Sequence, residues 1–328
     1  MIIDGIDTGD ISVVVQGAID KTNTRLCIKS IRKYFPEAEI ILSTWEDSDL
    51  TGLEYDKVLL NKDPGGWNDG NTNVPNNLNR QILSTKNGLH AAKNKYCIKM
   101  RSDLIFKSHD LLSYFDKFPK REEAYSVFSE RIIFCSYFFK RYIGTADTVV
   151  QPVPFHLSDW FAFGLREDLL RLFDIPLADE PDNVNYFINN EVISPKTSVY
   201  ITSHQYAPEQ YILIRALAKT ERLPRFNHYL DYTAENIEYS NRVIANNCII
   251  LNPSQIQIYC GKNGMGPYKK WTQNENTLPY EMWEGLYRFD VFEQQYRKYC
   301  CPEYQLSQEG IQQVKKYLRF RRMFHIGG

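Results

Sequence analysis

The sequence has 328 residues, 43% hydrophobic and 24% charged, with 39 basic side chains against 40 acidic ones and a net charge of −1. That composition can bury the core of one large α/β domain or of two smaller ones, and it excludes a wholly disordered chain. The charge balance excludes a global nucleic-acid-binding surface, so no nucleic-acid partner is expected.

Twenty-two Tyr, 18 Phe and 5 Trp make the chain rich in aromatics. Such rings stack on bases and on sugar faces, or fill a tyrosine-rich core. The seven cysteines have no C-x-x-C spacing, which argues against a disulfide framework or a structural zinc site. The N-terminal MIIDGIDTGD lacks the apolar region of a signal peptide, and no apolar run reaches the roughly 18 residues of a membrane span. The expected location is the reducing cytoplasm.

In chain order, Ile11 to Val15 is a short apolar run closed by Gln16-Gly17, a buried strand entering a turn. The segment 22–35 carries Cys27, Ile31 and Tyr34 on one face with cations opposite, a helix that Pro36 ends. EIILS (39–43) and KVLL (57–60) read as strands. The run 61–77, with Asp63-Pro64-Gly65-Gly66 and many Asn, is a long loop of the kind that usually serves function or stays disordered. Leu78, Ile82, Thr85, Leu89 and Ala92 then fall on one helical face, with Arg80, Ser84 and Asn87 on another. YCIKM (96–100) is the next strand and runs into Arg101-Ser102-Asp103.

Strands alternating with helices predict an α/β fold, a Rossmann-type, mostly parallel sheet with helices on both faces. Ligands of such sheets bind beyond the carboxyl ends of the strands. That rule gathers Gln16, Thr44, Trp45, Arg101, Ser102 and Asp103 into one cluster. Further on, His156 to Gly164 reads as a strand, 166–173 as a helix, 208–218 as a helix opened by Pro208, and CIIL (248–251) as a strand. Gly261 to Pro267 reads as a turn or linker, and the last sixty residues as helical. Two units follow: 1–265, which holds the sheet, and 266–328, a mostly helical extension with a basic amphipathic end.

Several residues have chemistry suited to an activated sugar. Asp103, at the end of a buried strand, either holds a Mg²⁺ or Mn²⁺ ion that bridges two phosphates, or caps the following turn. Arg80 either clamps a phosphate, helped by Asn79, or lies on a solvated helix face. Asp159 beside Trp160 combines a carboxylate for sugar hydroxyls with a ring for a sugar face; alternation in a strand would send Asp159 and Phe161 one way and Trp160 the other. Glu209, at a helix start where the dipole should lower its pKa, is a candidate base or a simple helix stabiliser. His204 is a weak third candidate metal ligand. Motifs of α/β-hydrolases, P-loop ATPases, zincins and dinucleotide dehydrogenases are absent.

Taken together, VVVQGAI (13–19), SIRKYFPEAEIILSTWE (30–46), DPGG (63–66), NRQILSTKNGL (79–89), KMRSDL (99–104), HLSDWFAFG (156–164) and PEQY (208–211) resemble the WavE lipopolysaccharide-synthesis family. The likeness covers roughly the first 215 residues. It implies a GT-A-like glycosyltransferase that takes a nucleotide-sugar donor and a glycan or lipid-linked acceptor in surface-polysaccharide assembly. GT-A enzymes commonly carry Asp-X-Asp, whereas this chain has Arg101-Ser102-Asp103, so Arg101 is positioned to neutralise phosphate itself. The donor-side expectation is Gln16, Gly17, Thr44, Trp45, Asn79, Arg80, Arg101 and Asp103, and the catalytic expectation is Asp159 and Glu209. The basic helix near the end, with Ile311, Val314, Tyr317, Leu318, Phe320 and Phe324 among cations, is expected either to touch the inner face of an anionic inner membrane or to pack on the catalytic domain. A non-catalytic sugar-nucleotide-binding component is the alternative function. A nucleotidyltransferase is a third reading, but it would normally show a Gly-rich, basic loop after the first strand.

Overall fold

The structure, a computed structural model, describes residues 1–67, 75–144, 150–179, 183–190, 204–220, 225–261, 270–273, 276–279 and 285–323. After a short hairpin at Ile2–Ile3 and Ile6–Asp7, the chain enters strand β1 (Ile11–Gln16), helix α1 (Lys21–Tyr34) and strand β2 (Glu39–Trp45). Strand β3 (Lys57–Asn61), helix α2 (Leu78–Ala91) and strand β4 (Tyr96–Arg101) follow. Beyond them come β5 (Leu104–Phe106), β6 (Ile132–Cys135), β7 (Phe161–Leu165) and α3 (Arg166–Phe173). The next elements are α4 (Pro208–Ala218), α5 (Ala234–Asn247), β8 (Cys248–Leu251) and β9 (Ile258–Cys260), then α6 (Phe289–Tyr299) and α7 (Gln308–Met323).

Within the described residues the main sheet has seven strands in the order β8-β6-β7-β4-β1-β2-β3. β1 pairs in parallel with β2 and β4, β2 with β3, and β8 with β6. β7 alone among them runs antiparallel to its neighbours β4 and β6. Every residue of β1 is buried, as a central strand covered on both faces requires. The helical face expected of α2 is observed: Leu78, Ile82, Thr85 and Leu89 are buried on it.

The register aligns the carboxyl ends. Gln16 lies opposite Ser43 on one side and Arg101 on the other, and Trp45 lies opposite Asn61. β2 therefore runs past the expected Ser43 to Trp45. Because β7 is antiparallel, its beginning lies at this same edge: Phe161 faces Met100, and the Arg101 N–H donates to the Trp160 carbonyl at 3.2 Å.

Two expectations fail locally. The strand expected from His156 begins only at Phe161. Phe155 turns the chain at φ +63°, and the Ser158 hydroxyl accepts from the Trp160 N–H at 3.4 Å, so 156–160 is a folded approach rather than an extended run. Alternation therefore does not govern where Asp159 and Trp160 point. The last sixty residues are not purely helical either: Lys270–Gln273 and Asn276–Pro279 form an antiparallel ribbon. Most of the turn expected at 261–267, and with it the division at 265, lies outside the described residues.

α6 is part of the main core. Its Phe289, Phe292 and Tyr296 ring contacts converge on Phe118, with centroids 6.3, 4.9 and 5.1 Å away. α7 packs on α6, and Tyr317 lies under the Arg288 guanidinium at 4.2 Å. Lys315, Lys316, Leu318 and Arg319 remain exposed. The side chain of Phe320 and all of Phe324 lie outside the described residues. None of the described helices is long and apolar enough to cross a membrane.

Candidate active site

A cleft of about 550 Å³ opens at the carboxyl edge of β1, β2 and β4. Its lining includes Gln16, Gly17, Asp20, Trp45, Asp63, Arg80, Gln81, Arg101, Asp103 and Asp159. Of the expected donor residues, Gln16, Gly17, Trp45, Arg80, Arg101 and Asp103 share this space. Gly17 turns the chain out of β1 at φ +106°, a conformation that a side chain would strain. Its N–H donates to the Ser43 carbonyl at 3.0 Å, which ties the turn to β2.

Thr44 and Asn79 are not in the lining. Thr44 is fully buried, with its hydroxyl 2.8 Å from that of Ser48. The Asn79 amide donates to the Ala178 carbonyl at 2.8 Å and accepts from the Ala178 N–H at 2.7 Å, clipping α2 to the segment after α3. Asn79→Ala would leave both buried backbone groups unpaired, so a stability loss of about 1–3 kcal/mol is expected. Denaturant unfolding measures it, and a change in donor affinity at unchanged stability would contradict this placement.

Both guanidiniums of the cleft are held by carboxylates. Arg101 donates from Nε and Nη2 to Asp103 at 3.0 and 2.6 Å, and its plane lies 4.0 Å from the Trp160 ring centroid. Burial disfavours the charge on Arg101, but the Asp103 carboxylate outweighs it and raises the pKa. Arg80 donates from Nε and Nη2 to Asp63 at 2.7 and 2.6 Å, which lowers the Asp63 pKa. The DPGG loop serves this second pair. The Gly65 N–H donates to Asp63 at 2.9 Å, and a Cβ on Gly66 would come within 3.2 Å of Arg80 Nη1 and 2.9 Å of Pro75 Cβ. Gly66→Ala should therefore displace Arg80 and weaken binding of a diphosphate ligand by about tenfold, the worth of one charge-assisted hydrogen bond; calorimetry with wild-type and variant protein checks it.

The metal expected at Asp103 and His204 does not fit this arrangement. Asp103 lines the cleft, whereas His204 is buried in the turn before α4, outside the cleft lining, so the two expected ligands do not meet. Among the described residues no group of three or more His, Cys, Asp and Glu could hold a metal ion.

On the far wall, Asp159 enters the cleft from the approach to β7. Gln81, one residue beyond Arg80, donates to its carboxylate and, at 3.1 Å, to its carbonyl. The wholly buried Lys99 on β4 also donates to that carbonyl; burial brings this lysine down to about 8, opposed by the Asp159 charge. The Asp159 Oδ1 has no hydrogen-bond partner.

Glu209 opens α4 with its side chain only 16% exposed. Burial, with the Asp159 charge adding to it, pushes Glu209 up to about 7. The lowering expected from the helix terminus is thus reversed, because desolvation exceeds the dipole's effect. Its Oε2 lies 3.5 Å from Nε2 of the fully buried His156. Sequence reasoning did not single out Gln81, Lys99, Asp63 or His156. All four sat inside segments already noted, but only the fold shows what each of them meets.

No curated protein is significantly similar in sequence to the chain. The profile of the family described as WavE lipopolysaccharide synthesis, however, matches residues 11–321. That span extends well past the first 215 residues, through β8, α6 and most of α7. The cleft and the helices behind it thus lie within a single matched unit, and the chain belongs to the WavE lipopolysaccharide-synthesis family.

Proposed function

We propose that this protein is a glycosyltransferase that moves a sugar from a nucleotide donor to a growing surface glycan. The observation that carries the reading is the pairing, in one cleft at the carboxyl edge of the sheet, of two forked guanidiniums with a separately held carboxylate, Asp159. Gln16, Gly17 and Trp45 take the nucleoside side. Arg80 and Arg101 exchange Asp63 and Asp103 for the phosphate oxygens, and each carboxylate so released is free to accept from ribose or sugar hydroxyls. Asp159 accepts the acceptor hydroxyl proton as the acceptor oxygen bonds to the anomeric carbon. The bond from that carbon to the phosphate oxygen breaks, and its electron pair leaves with the nucleotide.

The exposed Lys315, Lys316 and Arg319 around Leu318 suit an anionic membrane face, where lipid-linked acceptors lie. A non-catalytic sugar-nucleotide-binding component is the second reading, favoured by the fact that both guanidiniums already have carboxylate partners. Release of nucleotide from a panel of UDP-, GDP- and CMP-sugars, with a lipopolysaccharide-derived acceptor, separates the two. Turnover with one donor supports transfer, and binding without turnover supports the second reading.

A further inference from the structure

We propose that Lys99 is a positioning residue: together with Gln81 it clamps the Asp159 carbonyl and so fixes where the Asp159 carboxylate enters the cleft. The inference rests on the reading of Asp159 as the base.

Lys99 sits within β4, between β1 and β7, and none of it is exposed. Small side chains flank it: Ala162 lies opposite on β7 and Val14 opposite on β1. Alternation puts Lys99 on the same face of β4 as Arg101, one step behind the cleft. Among the described residues its ammonium hydrogen-bonds only to the Asp159 carbonyl, and it lies 5.4 Å from the ring centroid of Phe173 on α3. Lys99 is outside the cleft lining, so it acts on the site through Asp159 and not on a ligand. A buried ammonium is costly, and an apolar side chain of similar length would remove that cost. The Asp159 carbonyl would still have a donor, because Gln81 reaches it at 3.1 Å. The fold therefore does not require the charge. What the charge adds is a second, stronger donor on the peptide that carries the reacting group.

That peptide needs holding, because residues 156–160 are neither strand nor helix. The Arg101 N–H of β4 holds the Trp160 carbonyl, and Lys99 of the same strand holds the Asp159 carbonyl. Gln81 of α2 donates to that carbonyl and also to the Asp159 carboxylate. Two consecutive peptide groups are thus tied to β4, and the side chain is tied to α2. Loss of one tie lets the peptide turn, and a displacement on the order of 1 Å at a reacting group costs about 100-fold in rate.

The Asp159–Trp160 peptide can be observed alone, because Asp precedes Trp nowhere else in the chain. Protein labelled with ¹³C at the Asp carbonyls and ¹⁵N in Trp gives a single amide–carbonyl correlation in a magnetic-resonance spectrum. In Lys99→Met the carbonyl resonance should move upfield as a donor is lost, and it should move further in Lys99→Met/Gln81→Leu. Lys99→Met should keep an unfolding midpoint at or above that of the wild type, because a buried charge is removed and no carbonyl is orphaned. Its kcat should fall by about 10–100-fold with donor KM little changed. The two substitutions together should cost more than the product of their separate losses, because each alone leaves the carbonyl one donor. An unmoved resonance, an unchanged kcat, merely multiplicative losses or a Lys99→Met protein that no longer folds would overturn the clamp. A resonance that moves as expected, in a protein whose wild type turns over no donor, would overturn the reading of Asp159 as the base and leave the clamp standing.

Discussion

Asp159→Asn lowers the turnover of sugar transfer by about 10²–10⁴-fold, the usual worth of a general base, and changes donor affinity only a few-fold. The asymmetry follows from position. Asp159 stands on the wall formed by the approach to β7, and the guanidiniums that would take the phosphates belong to α2 and β4. Asn is nearly isosteric, and its side-chain oxygen still accepts from Gln81, so the wall keeps its shape. What is lost is the capacity of the carboxylate to take a proton. Steady-state nucleotide release against donor and acceptor concentration gives the test. Undiminished turnover in D159N would remove Asp159 from the mechanism.

The second large effect concerns the guanidiniums. Arg101→Ala and Arg80→Ala should each weaken binding of a nucleoside diphosphate by about 10–100-fold, the loss of one or two charge-assisted hydrogen bonds. The Arg101 variant should be the more severe. Arg101 is the more buried of the two, lies on the Trp160 ring and holds Asp103, so its removal also leaves the Asp103 carboxylate without its cation. Lys at 101 restores charge but not the fork, and recovers only part of the affinity. Isothermal titration with a nucleoside diphosphate reads all three. Wild-type affinity in both alanine variants would exclude these arginines from phosphate binding.

Much of the sheet was legible because its strands are buried on both faces and flanked by helices of clear period. Ile11–Val15, the Leu78–Leu89 face and the Pro208 helix stand where their patterns put them. The rule that ligands bind at carboxyl ends also brought Gln16, Trp45, Arg101 and Asp103 to one cleft. The direction of β7 was not legible. A run such as FAFGL packs equally well in either sense, and only the antiparallel sense brings Asp159 and Trp160 to the edge beside Arg101. Partner choice was hidden for a similar reason. Asn79 and Arg80 are adjacent polar residues in one helical turn, yet one faces Ala178 and the other Asp63. Asp103 was placed correctly at the strand end, but spacing does not reveal that Arg101 folds back over two residues to occupy both its oxygens. Glu209 shows how burial can reverse a local expectation: the helix start argues for an acidic group, and the enclosed position beside His156 and Asp159 makes it a weak acid instead.

The cleft at the carboxyl edge of β1, β2 and β4 is expected to bind the sugar nucleotide. Titrating UDP-, GDP- and CMP-sugars into wild-type protein and into the Arg80→Ala/Arg101→Ala double variant tests it most directly. At least one donor should bind the wild type, and this binding should be lost in the double variant while the fold is retained. A donor that binds both proteins equally well would contradict it.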